Sequence, residues 1–291
     1  MNPLDLVKLT TLMELTSGRP EIVIGLMDGP VAANHPALAG ENIRGIPGSL
    51  SSTCTPNNSA ACMHGTFVAC ILCAKRNSQA PAICPDCTLL VRPIFAEMAL
   101  GNGQMPSATP KELASAIIEC VEAGVNVLNL SVALDPPSTT GQRELEEALD
   151  YAARRGVITV AAAGNQGMLG GSAITRHPWV IPVVAYDLRG RPIGASNMGR
   201  SIGRHGLGAP GDDISSLGID GKSVTVAGTS VAVPFVTGAI ALLWSEFPTV
   251  GAAMVKFAIT QASTPKRTTV VPPLLDAWAA YQFMTEAHLR R

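Results

Sequence analysis

From residue 22 onward the chain alternates short apolar runs with stretches of helical periodicity, and this alternation constrains the fold more than any other feature. The runs at 22–27, 88–94, 125–130, 157–163 and 179–186 are rich in Val, Ile, Leu and Ala and read as buried strands. Residues 64–74, 110–123, 142–155, 231–244 and 252–260 read as helices; in 64–74, His64, Phe67, Val68, Ile71 and Leu72 share one face. Gly124 and Gly156 stand where two of these helices should end. Residues 41–62, rich in Ser, Thr, Asn, Pro and Gly, read as a long loop. Strand and helix in alternation predict an α/β fold with a mainly parallel sheet flanked by helices.

Such a sheet is buried on both faces, and the composition agrees: 47% of residues are hydrophobic and only 15% charged, against about 25% charged in a typical domain. With 21 Lys+Arg and 22 Asp+Glu the net charge is −1. That excludes a disordered chain and gives no basic field for nucleic acid or an anionic membrane. The mean hydropathy of +0.27 raises the question of a membrane span. Apolar runs such as 235–244 fall short of the roughly 18 residues a spanning helix needs. The first 19 residues carry Asp5, Lys8 and Glu14 and no apolar core of a secretory signal, so a cytoplasmic protein is expected. The odd count of 7 cysteines argues the same way. The 291 residues show no repeat and no clear linker. A single domain over 1–291 is expected, with 1–20 as a short N-terminal segment.

Three segments carry candidate chemistry: Asp28-Gly-Pro-Val, His64-Gly-Thr-Phe-Val-Ala, and Gly228-Thr-Ser230-Val-Ala-Val-Pro234. Singly they read as a turn, a helical histidine and an N-cap. Together, in the order Asp, His, Ser, they supply a nucleophile, a base for its proton and a carboxylate to hold the base. Asp28 and Asn165 both follow predicted strands, at the rim where parallel sheets place functional loops. Pro234 is expected in the first turn of the Ser230 helix, where amide donors lack partners in any case.

On these segments, with Ala161-Ala-Ala-Gly-Asn165 and Ala209-Pro-Gly211, the chain resembles the subtilisin-type (subtilase, S8) serine proteases over most of its length. The resemblance implies a three-layer subtilisin-like fold and an endopeptidase working through an acyl-enzyme. It implies a triad of Asp28, His64 and Ser230, and an oxyanion hole from the Asn165 side chain and the Ser230 backbone N–H. It implies a substrate strand along Ser131, Val132 and Ala133 and a specificity-pocket wall at Ala162, Ala163 and Gly164. Relatives often have Gly-Gly where this chain has Ala133-Leu134, so a narrowed pocket taking small or medium uncharged residues is expected. The implied partner is a peptide or protein substrate, with no nucleic acid, membrane or cofactor. Oligomeric state leaves no mark on the sequence.

Three departures refine the resemblance. Phe67 replaces the second His of the common His-Gly-Thr-His motif, at a position outside the triad. No large propeptide precedes the first strand, and 75–87 holds too few carboxylates for the family's strong calcium site. Within the family, Asp28-Gly-Pro-Val followed by His35-Pro36 is similar to the proteases of cyanobactin-type pathways, which trim ribosomal precursor peptides. Thirty-six positions separate Asp28 from His64, too few for the large insert of members that join peptide ends, so hydrolysis is expected. A general intracellular subtilisin and a non-catalytic peptide-binding module are the alternatives.

Cys70, Cys73, Cys84 and Cys87 have the spacing C-x2-C-x10-C-x2-C, which on its own suggests tetrahedral zinc. The competing reading, four small buried hydrophobes, suits residues inside a helix packed on a sheet better, so no metal site is expected. Cys120 reads as core, and Cys54 and Cys62 as a pair that an oxidant would join. His35, His177 and His205 read as loop residues and Asp212-Asp213 as a turn. Arg154-Arg155, Lys266-Arg267 and Arg290-Arg291 read as small basic clusters, the first suited to a helix end.

Overall fold

The computed structural model describes residues 1–38, 42–55, 59–97, 108–132, 142–261 and 269–289. Nine strands are present among them: β1 (Val23–Met27), β2 (Ile43–Gly45), β3 (Thr88–Val91), β4 (Val127–Leu130), β5 (Ile158–Ala162), β6 (Val180–Tyr186), β7 (Leu207–Pro210), β8 (Ile214–Leu217) and β9 (Ser223–Val226). The helices are α1 (Pro3–Leu6), α2 (Leu9–Leu15), α3 (Ala60–Cys73), α4 (Pro110–Glu122), α5 (Gln142–Arg154), α6 (Ala173–Arg176), α7 (Arg200–His205), α8 (Thr229–Glu246), α9 (Ala252–Gln261) and α10 (Ala277–Leu289).

Seven strands form one sheet in the order β2-β3-β1-β4-β5-β6-β7, and every pairing is parallel. β8 and β9 form a separate antiparallel hairpin. Every residue of β4, β5 and β6 is buried, because helices cover both faces and side chains alternate between them. Ile24, Leu26, Val127 and Val160 point into one layer, with α3, α8 and Val255 of α9. Met27, Leu128, Leu130 and Ala161 point into the other, with Leu113 and Ile117 of α4 and Leu145 and Leu149 of α5. The result is the three-layer α/β subtilisin-like fold.

Local signals explain several boundaries. Thr109 and Glu112 close a capping box at the start of α4, with Pro110 in its first turn. Gly124 and Gly156 follow α4 and α5 with φ of +84° and +72°, as the C-terminal positions require. Two boundaries differ from expectation. The stretch 41–62 contains the edge strand β2, three residues mostly exposed and hence without an apolar run. It also contains the start of α3, because Ser59 caps the helix at the Cys62 amide four residues before the apolar stripe becomes visible. α8 is longer than its apolar run: its 18 residues meet the length and hydropathy of a membrane span, but 89% of them are buried inside the protein, as in a core helix.

His35 and His177 do lie between elements, yet both are buried. His177 Nε2 bonds to Asp150 Oδ1 at 3.1 Å, and its Nδ1 accepts the Trp179 N–H.

Candidate active site

β1 has β3 on one side and β4 on the other, so successive connections leave it in opposite directions and open a crevice at its carboxyl end. Asp28, the residue after β1, lies there with no exposed surface. Its Oδ1 accepts the Gly29 N–H at 2.7 Å. His64 reaches it from α3. His64 Nδ1 lies 2.7 Å from Asp28 Oδ1 and 2.9 Å from Oδ2. Two glycines permit that approach: a Cβ on Gly65 would stand 2.5 Å from the Pro30 carbonyl oxygen, and one on Gly29 would stand 2.0 Å from that of Ala61. The second residue of each motif is thus a clearance that brings α3 onto the turn after β1.

His64 Nε2 lies 3.0 Å from Ser230 Oγ, and the imidazole is 17% exposed, open on one side. Burial lowers the imidazole pKa, but the charge of Asp28 and its hydrogen bond outweigh burial, and the net shift is upward from 6.5. Only a neutral imidazole can take a proton from a serine hydroxyl. The acid limb of kcat/KM should therefore have its midpoint above pH 6.5. The same shift acts oppositely on stability: its contribution is full below pH 6.5 and fades as pH rises through the folded value. A pH–rate profile with the acid midpoint below 6.5 would contradict this.

Ser230 is the second residue of α8. Gly228 before it has φ +144°, a conformation side chains avoid, and a Cβ there would lie 3.3 Å from Asn165 Nδ2. Asn165 Oδ1 accepts from both the Thr229 N–H at 2.9 Å and the Thr229 hydroxyl at 3.0 Å. A backbone N–H can only donate, so the carboxamide oxygen must face Thr229 and Nδ2 must face the other way, beside Gly228. Among the described residues neither Nδ2 nor the Ser230 N–H has an acceptor. At the start of a helix such donors, aided by the dipole, suit a developing negative charge.

Pro234 does not lie in the first turn, as the sequence led us to expect; it is the sixth residue of α8. Its missing N–H would have bonded the carbonyl of Ser230. That carbonyl instead accepts the Ser131 hydroxyl at 3.0 Å. Ser131 in turn accepts from Asn129 Nδ2 at 2.8 Å, and Asn129 Oδ1 accepts the Thr237 hydroxyl at 2.9 Å. All three side chains are buried. This chain of bonds, invisible in the sequence, ties the turn that carries Ser230 to β4. The Ser131→Ala variant should lose about 1 kcal/mol of stability. It should lower kcat with KM little changed, read by comparing both constants with a denaturation curve.

Ser131 and Val132 follow β4, and Ala162, Ala163 and Gly164 end or follow β5, so the two segments flank the start of α8. Ala163 donates its N–H to Val183, Gly164 donates its own to Thr229 Oγ1, and the Gly164 carbonyl accepts from Asn197. Ala133, and with it the narrowed-pocket expectation, lies outside the described residues.

The cysteines divide in two. Cys70, Cys73, Cys84, Cys87 and Cys120 are free and buried. Burial pushes Cys70, helped by neighbouring Cys73, up to about 12, and burial pushes Cys120 up to about 12 as well, so these two thiols stay protonated. Cys54 and Cys62 are joined in a disulfide. Among the described residues, the spacing motif gathers no metal-sized group of three. One such group exists elsewhere: Cys54, Cys62 and Glu97.

A serine, a histidine and a buried carboxylate brought together at the crevice of a parallel α/β sheet, with unpartnered donors beside the serine, form the arrangement that a serine-nucleophile hydrolase uses. The chain matches the model of the subtilase family, Peptidase S8, over residues 19–276, and it belongs to that family. It is 34% identical over 239 residues to the thermophilic serine proteinase of Bacillus sp. (strain AK1). That match covers 80% of this chain and 54% of the relative, so the chain spans about half of that protein's length. Among solved structures it resembles the prenylagaramide maturation protease PagA, with TM-score 0.81 and 29% identity over 96% of this chain and 98% of that one. It also resembles a serine-to-alanine mutant of the protease domain of PatA, with TM-score 0.82 and 29% identity over 93% and 97% of the two chains.

Proposed function

We propose that this chain is a serine endopeptidase that trims the leader of a ribosomally made precursor peptide, with Asp28, His64 and Ser230 as its triad. The observation that carries the reading is His64, bonded through Nδ1 to Asp28 and through Nε2 to Ser230. His64 takes the Ser230 proton as Oγ attacks the scissile carbonyl. The oxyanion accepts from Asn165 Nδ2 and the Ser230 N–H; one such donor is worth about 10²–10³ in kcat. His64, now cationic and held by Asp28, passes the proton to the leaving amine, and water then hydrolyses the acyl-enzyme.

Support for a precursor-peptide substrate comes from the likeness to PagA, a maturation protease by name. Support for hydrolysis comes from the connection between Asp28 and His64. Among its described residues it holds the edge strand β2 and no helix before α3.

A fluorophosphonate probe with peptide mapping tests the reading. Covalent label on Ser230 is the expected result. Folded protein that refuses the probe would point instead to a module that binds peptides without cutting them.

A further inference from the structure

The disulfide that joins Cys54 to Cys62 stands beside Glu97, and one ligand atom from each of the three lies within 4.8 Å of the others. The Glu97 carboxylate is held on two sides: Oε2 accepts the Thr55 N–H at 2.9 Å and Oε1 the Ser59 hydroxyl at 3.1 Å. Among the described residues it has no cationic partner. Cys62 is the third residue of α3, where the helix dipole favours a thiolate. The Thr66 hydroxyl lies 3.9 Å from both sulfurs. Two sulfurs and an oriented carboxylate, with hydrogen-bond partners already in place behind them, are the donors and the outer support of a tetrahedral zinc site.

We propose that the reduced form of this chain binds one zinc ion through Cys54, Cys62 and Glu97, and that the disulfide is the metal-free, oxidised state of the same site. A dithiol reductant supplies two electrons and two protons to the Cys54–Cys62 bond, leaving two thiols here and a disulfide on the reductant. Zinc then displaces both thiol protons and takes the carboxylate as third ligand, with water in the fourth position. The four buried cysteines of zinc-like spacing are not this site. The metal centre that their spacing suggests is built instead from the pair the spacing omits, three-dimensionally next to the start of the helix that carries His64.

The test is a zinc titration of the whole chain against a chromogenic indicator, before and after reduction with a phosphine, needing no peptide substrate. One equivalent bound after reduction and none before is the expected result. Cobalt in place of zinc should give a tetrahedral spectrum with thiolate charge transfer. Glu97→Gln should weaken binding at least about tenfold, and Cys54→Ser should abolish it. Cys84→Ser should leave it unchanged. Absence of binding to protein with its Cys54–Cys62 bond fully reduced would overturn the proposal, as would equal binding by Cys54→Ser. Because the readout is metal, it stands or falls apart from labelling of Ser230.

Discussion

Replacing Ser230 by alanine should lower kcat by about 10⁶ and leave KM nearly unchanged. The hydroxyl makes one hydrogen bond, to His64 Nε2, and sits at a partly open position. Its loss therefore removes the nucleophile without opening a cavity, and the melting temperature should stay within a degree or two. A residue of catalysis, about 10³–10⁴ over water, should survive, because Asn165 and the backbone N–H still meet the oxyanion. Adding His64→Ala to this variant should cost little more, since a base without a nucleophile has no proton to take. Steady-state rates on a leader-containing peptide, with active-site titration to exclude contaminating protease, decide the matter. A Ser230→Ala protein that retains a tenth of the activity would place the nucleophile elsewhere.

Asp28→Asn should lower kcat by about 10⁴ at neutral pH, the scale expected when the orienting carboxylate of such a triad is neutralised. The geometry gives the reason. Asp28 Oδ1 already accepts the Gly29 N–H, so the asparagine oxygen takes that place and its NH₂ falls where Oδ2 now stands, 2.9 Å from His64 Nδ1. A donor there favours the tautomer with its proton on Nε2, which cannot accept from Ser230. The upward pull on the imidazole pKa goes as well, so the acid limb of the pH profile should move down. Loss of rate together with that displacement distinguishes the role of Asp28 from simple misfolding.

Much of this was legible in the amino-acid order because the physics is local. The apolar runs marked five of the seven sheet strands. The glycines after Asp28 and His64 were visible as motif residues, although only the structure shows that they clear the way for a helix to approach a turn. β2 was missed because an exposed three-residue edge leaves no apolar run. The α10 helix and the β8–β9 hairpin were missed for want of periodic patterning. The link from Thr237 through Asn129 and Ser131 to Ser230 joins residues up to 108 positions apart, and no window on the sequence contains it. Cys70, Cys73, Cys84 and Cys87, for all their zinc-like spacing, are free, buried side chains of the core, as the reading of four small hydrophobes expected.

His64 and Ser230 ride on α3 and α8, which pack in the same layer, whereas α4 and α5 cover the opposite face of the sheet. The distance between His64 and Ser230 is therefore set without reference to the far layer. Over evolutionary time the two layers can diverge at different speeds. The exposed side of α4 and α5 is free to acquire a new charge pattern or a new attachment, and so a new clientele, while the chemistry across the sheet keeps its alignment.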